Sequence, residues 1–118
     1  MNIETKVNGA ITHVRLEENR LDAAQAIPFK EHIRQIVDEG ADYVLLDMER
    51  VEFMDSSGLG ALVSVMKYMG SEKKFEITNL TPMVEKVFKL TRMDEVFRVH
   101  SSAHDAFNEV QSDIQVLI

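Results

Sequence analysis

Two adjacent hydroxyls, Ser56 and Ser57, follow Asp55 and precede Gly58, Leu59 and Gly60, and these residue types at this spacing support chemistry better than any others in the chain. They stand just ahead of a helical pattern, so their oxygens lie near unpaired backbone N–H groups and the positive end of a helix dipole. A phosphate carried on Ser56 is well held at such a place. Gly58 and Gly60 lack side chains, which leaves room for another protein's surface to approach the hydroxyls. Asp-Ser-Ser before a helix is also what an ordinary N-cap looks like, and the residues alone favour that simpler reading.

Other chemistries fit less well. A serine hydrolase needs Gly-x-Ser-x-Gly, but Met54 stands two residues before Ser56 in place of the first glycine. His13, His32, His100 and His104 lie on separate elements, and none is placed by sequence beside the hydroxyls to act as base. His100 and His104 have the spacing of two ligands on one helix face, but Ser101-Ser102 reads as a helix start between them. They are expected to be exposed loop residues, with no metal. Gly-x-x-x-x-Gly-Lys is absent, so no nucleotide cofactor of the P-loop kind is expected. The chain reads as a non-enzyme.

The elements around the hydroxyls follow from periodicity. Residues 11–16 alternate, with Thr12, Val14 and Leu16 on one face and Ile11, His13 and Arg15 on the other, and Asn8-Gly9 joins them to residues 3–7 as a type I′ hairpin. Phe29, Ile33, Ile36 and Val37 form one helical stripe ending near Glu39-Gly40. That helix starts either just before Pro28 or at residues 23–25 with a distortion. Tyr43-Val44-Leu45-Leu46 lacks polar alternation, as expected of a central parallel strand covered on both faces.

Leu59, Leu62, Val63 and Met66 supply the core face of the next helix, which Gly70 ends; Phe75 and Ile77 mark a strand. Thr81-Pro82 opens a helix with Val84, Val87 and Phe88 inward, and residues 96–99 read as a strand. Ser102 and Asp105 form a capping-box pattern before a last helix with Ala103, Ala106, Phe107 and Val110 inward. The order β-β-α-β-α-β-α-β-α predicts a single α/β domain over 1–118, with a mostly parallel sheet of four to five strands and about four helices. The loop carrying Ser56 follows the carboxyl end of the buried strand, where α/β sheets meet their ligands and partners.

Composition agrees with one globular domain: 118 residues, 45% hydrophobic and 28% charged. Cysteine is absent, which removes disulfides and thiol chemistry and fits a reducing cytoplasm. No signal peptide or bilayer-length apolar run is readable, so no membrane association is expected. The net charge of −7 has the wrong sign for nucleic acid; it suits a protein partner with a basic patch and equally serves simple solubility.

Phe53-Met54-Asp55-Ser56-Ser57-Gly58-Leu59-Gly60 resembles the signature of the STAS domain, specifically the bacterial anti-sigma factor antagonists. Leu21-Asp22-Ala23 resembles the family's segment before its first helix, and Leu80-Thr81-Pro82 the start of its third. The resemblance implies a domain that binds an anti-sigma factor, a serine kinase of the histidine-kinase-like ATPase type, and so releases a sigma factor. It implies phosphorylation of Ser56, reversed by a serine phosphatase, and a partner-binding segment of Asp22, Met54, Asp55, Ser56, Ser57, Gly58, Leu59 and Gly60. It reverses the preference for a plain cap. A monomer suffices for this role.

The chain departs from the family at Asn19-Arg20, where glycine and an acid are usual before the Leu-Asp pair. An arginine there changes partner choice or pairs with a phosphate on Ser56. The family is also used as accessory subunits of membrane transport systems and as scaffold parts of signalling assemblies, which are binding modules without the serine switch.

Overall fold

The computed structural model describes residues 1–117, with side chains described as far as Gln111. Strands β1 (Ile3–Asn8) and β2 (Ile11–Leu16) form an antiparallel hairpin. Asn8 pairs with Ile11, so the turn is Gly9-Ala10 and not Asn8-Gly9. Only Gly9 takes positive φ (60°), as the first residue of a type II′ turn requires, and the predicted type I′ geometry is replaced.

The hairpin continues into a parallel sheet through β4 (Tyr43–Asp47), β6 (Lys74–Thr78) and β7 (Val99–His100), in the order β1-β2-β4-β6-β7. β4 is central and buried at every position, as its unbroken apolar run implies. Its Val44 and Leu46 join the main core, while Tyr43 and Leu45 face a smaller cluster on the other side with Ile11 and Ala106. The main core lies between the sheet and the helices α1 (Ala23–Asp38), α2 (Ser56–Met69) and α3 (Pro82–Thr91). The smaller one lies under α5 (Ala103–Leu117), where Ala103, Phe107 and Val110 pack as expected and the Ser102 hydroxyl accepts from the Asp105 N–H at 3.2 Å.

Several elements differ from the sequence reading. α1 starts at Ala23 and runs straight through Pro28, so the earlier of the two possible starts is the one adopted. Pro28 lies beyond the first turn, where its ring removes one i→i−4 hydrogen bond. Pro28→Ala restores that bond and is expected to stabilise the fold by about 1 kcal/mol, read as a rise in thermal midpoint of about 4 °C.

In α2 the fully buried residues are Gly58, Ala61, Leu62, Val65 and Met69, whereas Leu59, Val63 and Met66 flank the core half-buried. Val96 closes a short extra helix, α4 (Met93–Val96), and does not begin a strand. Phe97 is then drawn inward against Phe75 and Phe88, at ring distances of 5.9 and 6.2 Å, leaving only Val99–His100 to pair with β6.

Two further strands escaped the sequence reading altogether. β3 (Arg20–Leu21) and β5 (Phe53–Met54) form a separate parallel ribbon, with Arg20 opposite Phe53 and Leu21 opposite Met54. The ribbon joins the segment ahead of α1 to the segment ahead of α2.

His100 is also not the exposed loop residue expected, although His104 is exposed. It is buried on β7, with Nε2 at 2.7 Å from Glu76 Oε1, and the same carboxylate accepts from the Tyr43 hydroxyl. The polar back of the sheet is thus internally satisfied.

Candidate functional site

The site is built on the ribbon. Met54 points inward and is buried, Phe53 points outward and is 39% exposed, and the chain then turns into α2. Asp55 is the N-cap: its backbone is extended (φ −112°, ψ −173°) and its carboxylate accepts from the Gly58 N–H at 3.0 Å. Ser56 and Ser57 are therefore the first two residues of the helix and do not precede it. Both are exposed. Their N–H groups have no acceptor within the helix, as in any first turn, and point toward any anion placed over the helix end.

α1 begins the same way beside it. Asp22 is its N-cap and accepts from the Ala24 N–H at 3.1 Å. Because Leu21 and Met54 are paired, the two capping aspartates that follow them stand at adjacent helix starts. Arg20 donates from Nε to Asp22 Oδ2 at 3.0 Å, and this pairing holds the Asp22 carboxyl below its usual range. The Arg20 guanidinium lies 4.2 Å from the centre of the Phe53 ring.

Gly58 sets how close these parts come. A Cβ at this position would lie 2.1 Å from the Leu21 carbonyl oxygen and 3.0 Å from Met54 Cγ. The space the sequence reading reserved for a partner is filled by the chain's own backbone, and Gly58 is buried. Of the two motif glycines, Gly60 has open space around it. Of the expected partner-binding residues, Ser56, Ser57 and Gly60 are exposed, Asp22 and Asp55 are half-exposed, and Leu59 is half-buried. Met54 and Gly58 support the loop from beneath. Phe53 is the residue that projects.

The loop is tied down at both sides. The Asn19 carbonyl accepts from the N–H groups of Glu52 (2.8 Å) and Phe53 (3.2 Å), and the Thr81 hydroxyl donates to the Val51 carbonyl at 2.7 Å. Thr81 therefore anchors the loop and does not cap α3 with its side chain.

Deeper in, Asp47 at the end of β4 is 3% exposed and accepts from the Glu49 N–H (3.0 Å) and the Asn79 amide (3.2 Å), with His13 Nε2 at 2.9 Å. Burial pushes its carboxyl up, but the bonds to His13, Glu49 and Asn79 outweigh that and hold it below the ordinary value. A carboxyl lowered in the folded state contributes stability above its unfolded value, 3.8, and loses it as pH falls through the lower folded value. Urea melts at pH 5 and pH 3 are accordingly expected to show a larger loss for the wild type than for Asp47→Asn.

His13 and His100 are engaged by Asp47 and Glu76, so neither serves Ser56 as a base. Among the described residues, no group of three or more His, Asp or Glu is placed to hold a metal ion, and no helix is long and apolar enough to cross a membrane. The arrangement presents an exposed hydroxyl on a helix end.

The sequence model of the STAS domain matches residues 2–106. The chain belongs to the STAS domain family. The anti-sigma-F factor antagonist RsfB of Mycobacterium tuberculosis is 28% identical over 91 residues, covering 77% of this chain and 75% of that one. The crystal structure of an anti-sigma factor antagonist from Mycobacterium paratuberculosis superposes with a TM-score of 0.83 at 22% identity, over 93% of each chain. The phosphorylated form of SpoIIAA from Bacillus superposes at 0.68 and 22% identity, over 92% of this chain and 99% of that one.

Within the STAS fold the expected architecture stands: one α/β layer structure with a five-stranded, mostly parallel sheet. Among the described residues it carries five helices, one more than expected, the extra one being the short α4 between α3 and β7.

Proposed function

We propose that this STAS domain is an anti-sigma factor antagonist, switched by phosphorylation of Ser56. The observation that carries the reading is Ser56 itself, exposed as the first residue of α2 directly after the Asp55 cap, in a chain similar to several anti-sigma factor antagonists. In the unmodified state the exposed residues around Ser56 bind an anti-sigma factor that is also a serine kinase of the histidine-kinase-like ATPase type. The sigma factor held by that kinase is released.

The kinase then transfers the γ-phosphoryl group of ATP to Ser56 Oγ. The O–P bond forms as the bond to ADP breaks, and the hydroxyl proton passes to a base on the kinase. A serine phosphatase reverses the step by hydrolysis, returning the hydroxyl and inorganic phosphate. The chain is substrate and switch in this cycle, with no cofactor and no catalysis of its own. It works in the cytoplasm as a monomer.

The physics of the switch is local. Phosphate adds about −1.5 to −2 charges at neutral pH, to a chain whose net charge is already −7. The helix end and its N–H groups stabilise that charge where it sits, so the fold is kept. The effect falls on the partner's surface, through like charge and bulk at a desolvated contact.

A paired pull-down with Ser56→Ala and Ser56→Asp as baits tests the reading, with bound proteins identified by mass spectrometry. Capture of an ATPase-type kinase by the alanine bait and its loss with the aspartate bait is the expected result. Equal capture of a transporter or scaffold component by both baits would replace the antagonist reading with the accessory-module one.

A further inference from the structure

Arg20 is held loosely in a place where a stronger anion can take it. Its side chain is 54% exposed and is engaged through Nε alone, on Asp22 Oδ2. Among the described residues neither Nη atom has an acceptor. The Phe53 ring supports the guanidinium at 4.2 Å and fixes its place on the outer face of the ribbon. Asp22 is committed elsewhere as well, because its other oxygen caps α1 at the Ala24 N–H. An exposed ion pair with a single contact of this kind contributes little to stability, so a better acceptor can displace it. A phosphate dianion offers three acceptor oxygens, and a guanidinium edge matches two of them in parallel.

The ribbon brings this arginine to the switch. Arg20 stands opposite Phe53, the next pair is Leu21 and Met54, and the next two residues are the capping aspartates, with Ser56 one residue further. Gly58 closes the arrangement by seating the first turn of α2 directly on the Leu21 carbonyl. The loop cannot retreat from β3 without giving up that contact.

We propose that Arg20 is the built-in counter-ion of the switch, leaving Asp22 to grip a phosphate on Ser56 through its Nη edge while Phe53 holds its plane. This rests on Ser56 being the acceptor and adds how the modified state is held. Phosphorylation then does two things at once: it places a phosphate on the contact surface and withdraws the one cation of the ribbon from the partner's reach. A lysine at the same position keeps the charge and loses the paired geometry.

The test uses the full chain with phosphoserine incorporated at position 56 during synthesis, so that no kinase is needed. The second ionisation of the phosphate is followed by 31P NMR in the parent, Arg20→Lys and Arg20→Gln chains, at low and high salt. At low salt the midpoint is expected to lie about 0.5–1 unit higher in Arg20→Gln than in the parent, with Arg20→Lys between them and the gap narrowing as salt screens the pair. Coincident titrations of parent and Arg20→Gln at low salt would overturn the proposal. An Arg20-dependent titration in a chain whose partner binding ignores the phosphate keeps this inference and overturns the switch. The reverse pattern keeps the switch and overturns this inference.

Discussion

Gly58→Ala is expected to destabilise the domain by about 3 kcal/mol or more, lowering its thermal midpoint by roughly 10 °C. The new methyl group would lie 2.1 Å from the Leu21 carbonyl oxygen and 3.0 Å from Met54 Cγ. The methionine can bend away, but the carbonyl belongs to β3 and cannot. Relief requires either lifting the first turn of α2 or parting the β3–β5 ribbon, and both separate the Asp22 and Asp55 caps. Gly60→Ala is the control, because nothing lies within 4 Å of the added carbon. In a helix that substitution is neutral or stabilising by up to about 1 kcal/mol. Melting curves of the two variants side by side test whether close approach, and not glycine as such, is what position 58 requires. Equal midpoints would contradict the packing account.

The second large effect falls on binding and leaves stability alone. Ser56→Ala is expected to hold the partner kinase constitutively, while Ser56→Asp binds roughly 10–100-fold more weakly, equivalent to about 1.4–2.7 kcal/mol. Both should melt within about 2 °C of the parent, since Ser56 is exposed and the cap is made by Asp55. Isothermal titration of the captured kinase with each variant, set beside their melting curves, separates the two quantities. If Ser56→Asp bound as tightly as Ser56→Ala, charge at this position would not be what governs the complex.

How much of this was legible in advance depends on the length and strength of each signal. β4 was readable because a short apolar run without polar alternation, following the end of a helix at Gly40, fits a strand covered on both faces. β3 and β5 were unreadable because two residues carry no periodicity, and their pairing joins positions more than thirty apart in the chain. The inward face of α2 was legible in part. Its buried positions include Gly58 and Ala61, small residues with little hydrophobic signature, beside Leu62, Val65 and Met69, while Leu59, Val63 and Met66 pack half-buried along the edge of that face.

The start of α1 turned on Pro28, whose penalty in a helix is real but is outweighed by the Asp22 cap and the burial of Ala26, Phe29, Ile33 and Val37. His100 looked like loop because Ser101-Ser102 follows it. What buries it is Glu76, a partner on another strand that no local pattern announces.

At the site, the motif located Ser56, Asp55 and Asp22, and the fold brings all three to one end of the sheet. What the sequence reading lacked was the division of labour among their neighbours. Met54 and Gly58 turn inward to hold the loop, whereas Phe53 and Arg20 stand outward together. Exposure of a side chain on a two-residue strand depends on which residue its pair faces, and that is a tertiary property.

The most direct test of the switch compares the unmodified chain with the chain carrying phosphoserine at position 56, titrated into the kinase that the alanine bait captures. The account predicts an affinity loss of about 100-fold or more on phosphorylation, with the far-ultraviolet circular dichroism unchanged. Equal affinities, or a loss accompanied by unfolding of the modified chain, would contradict it.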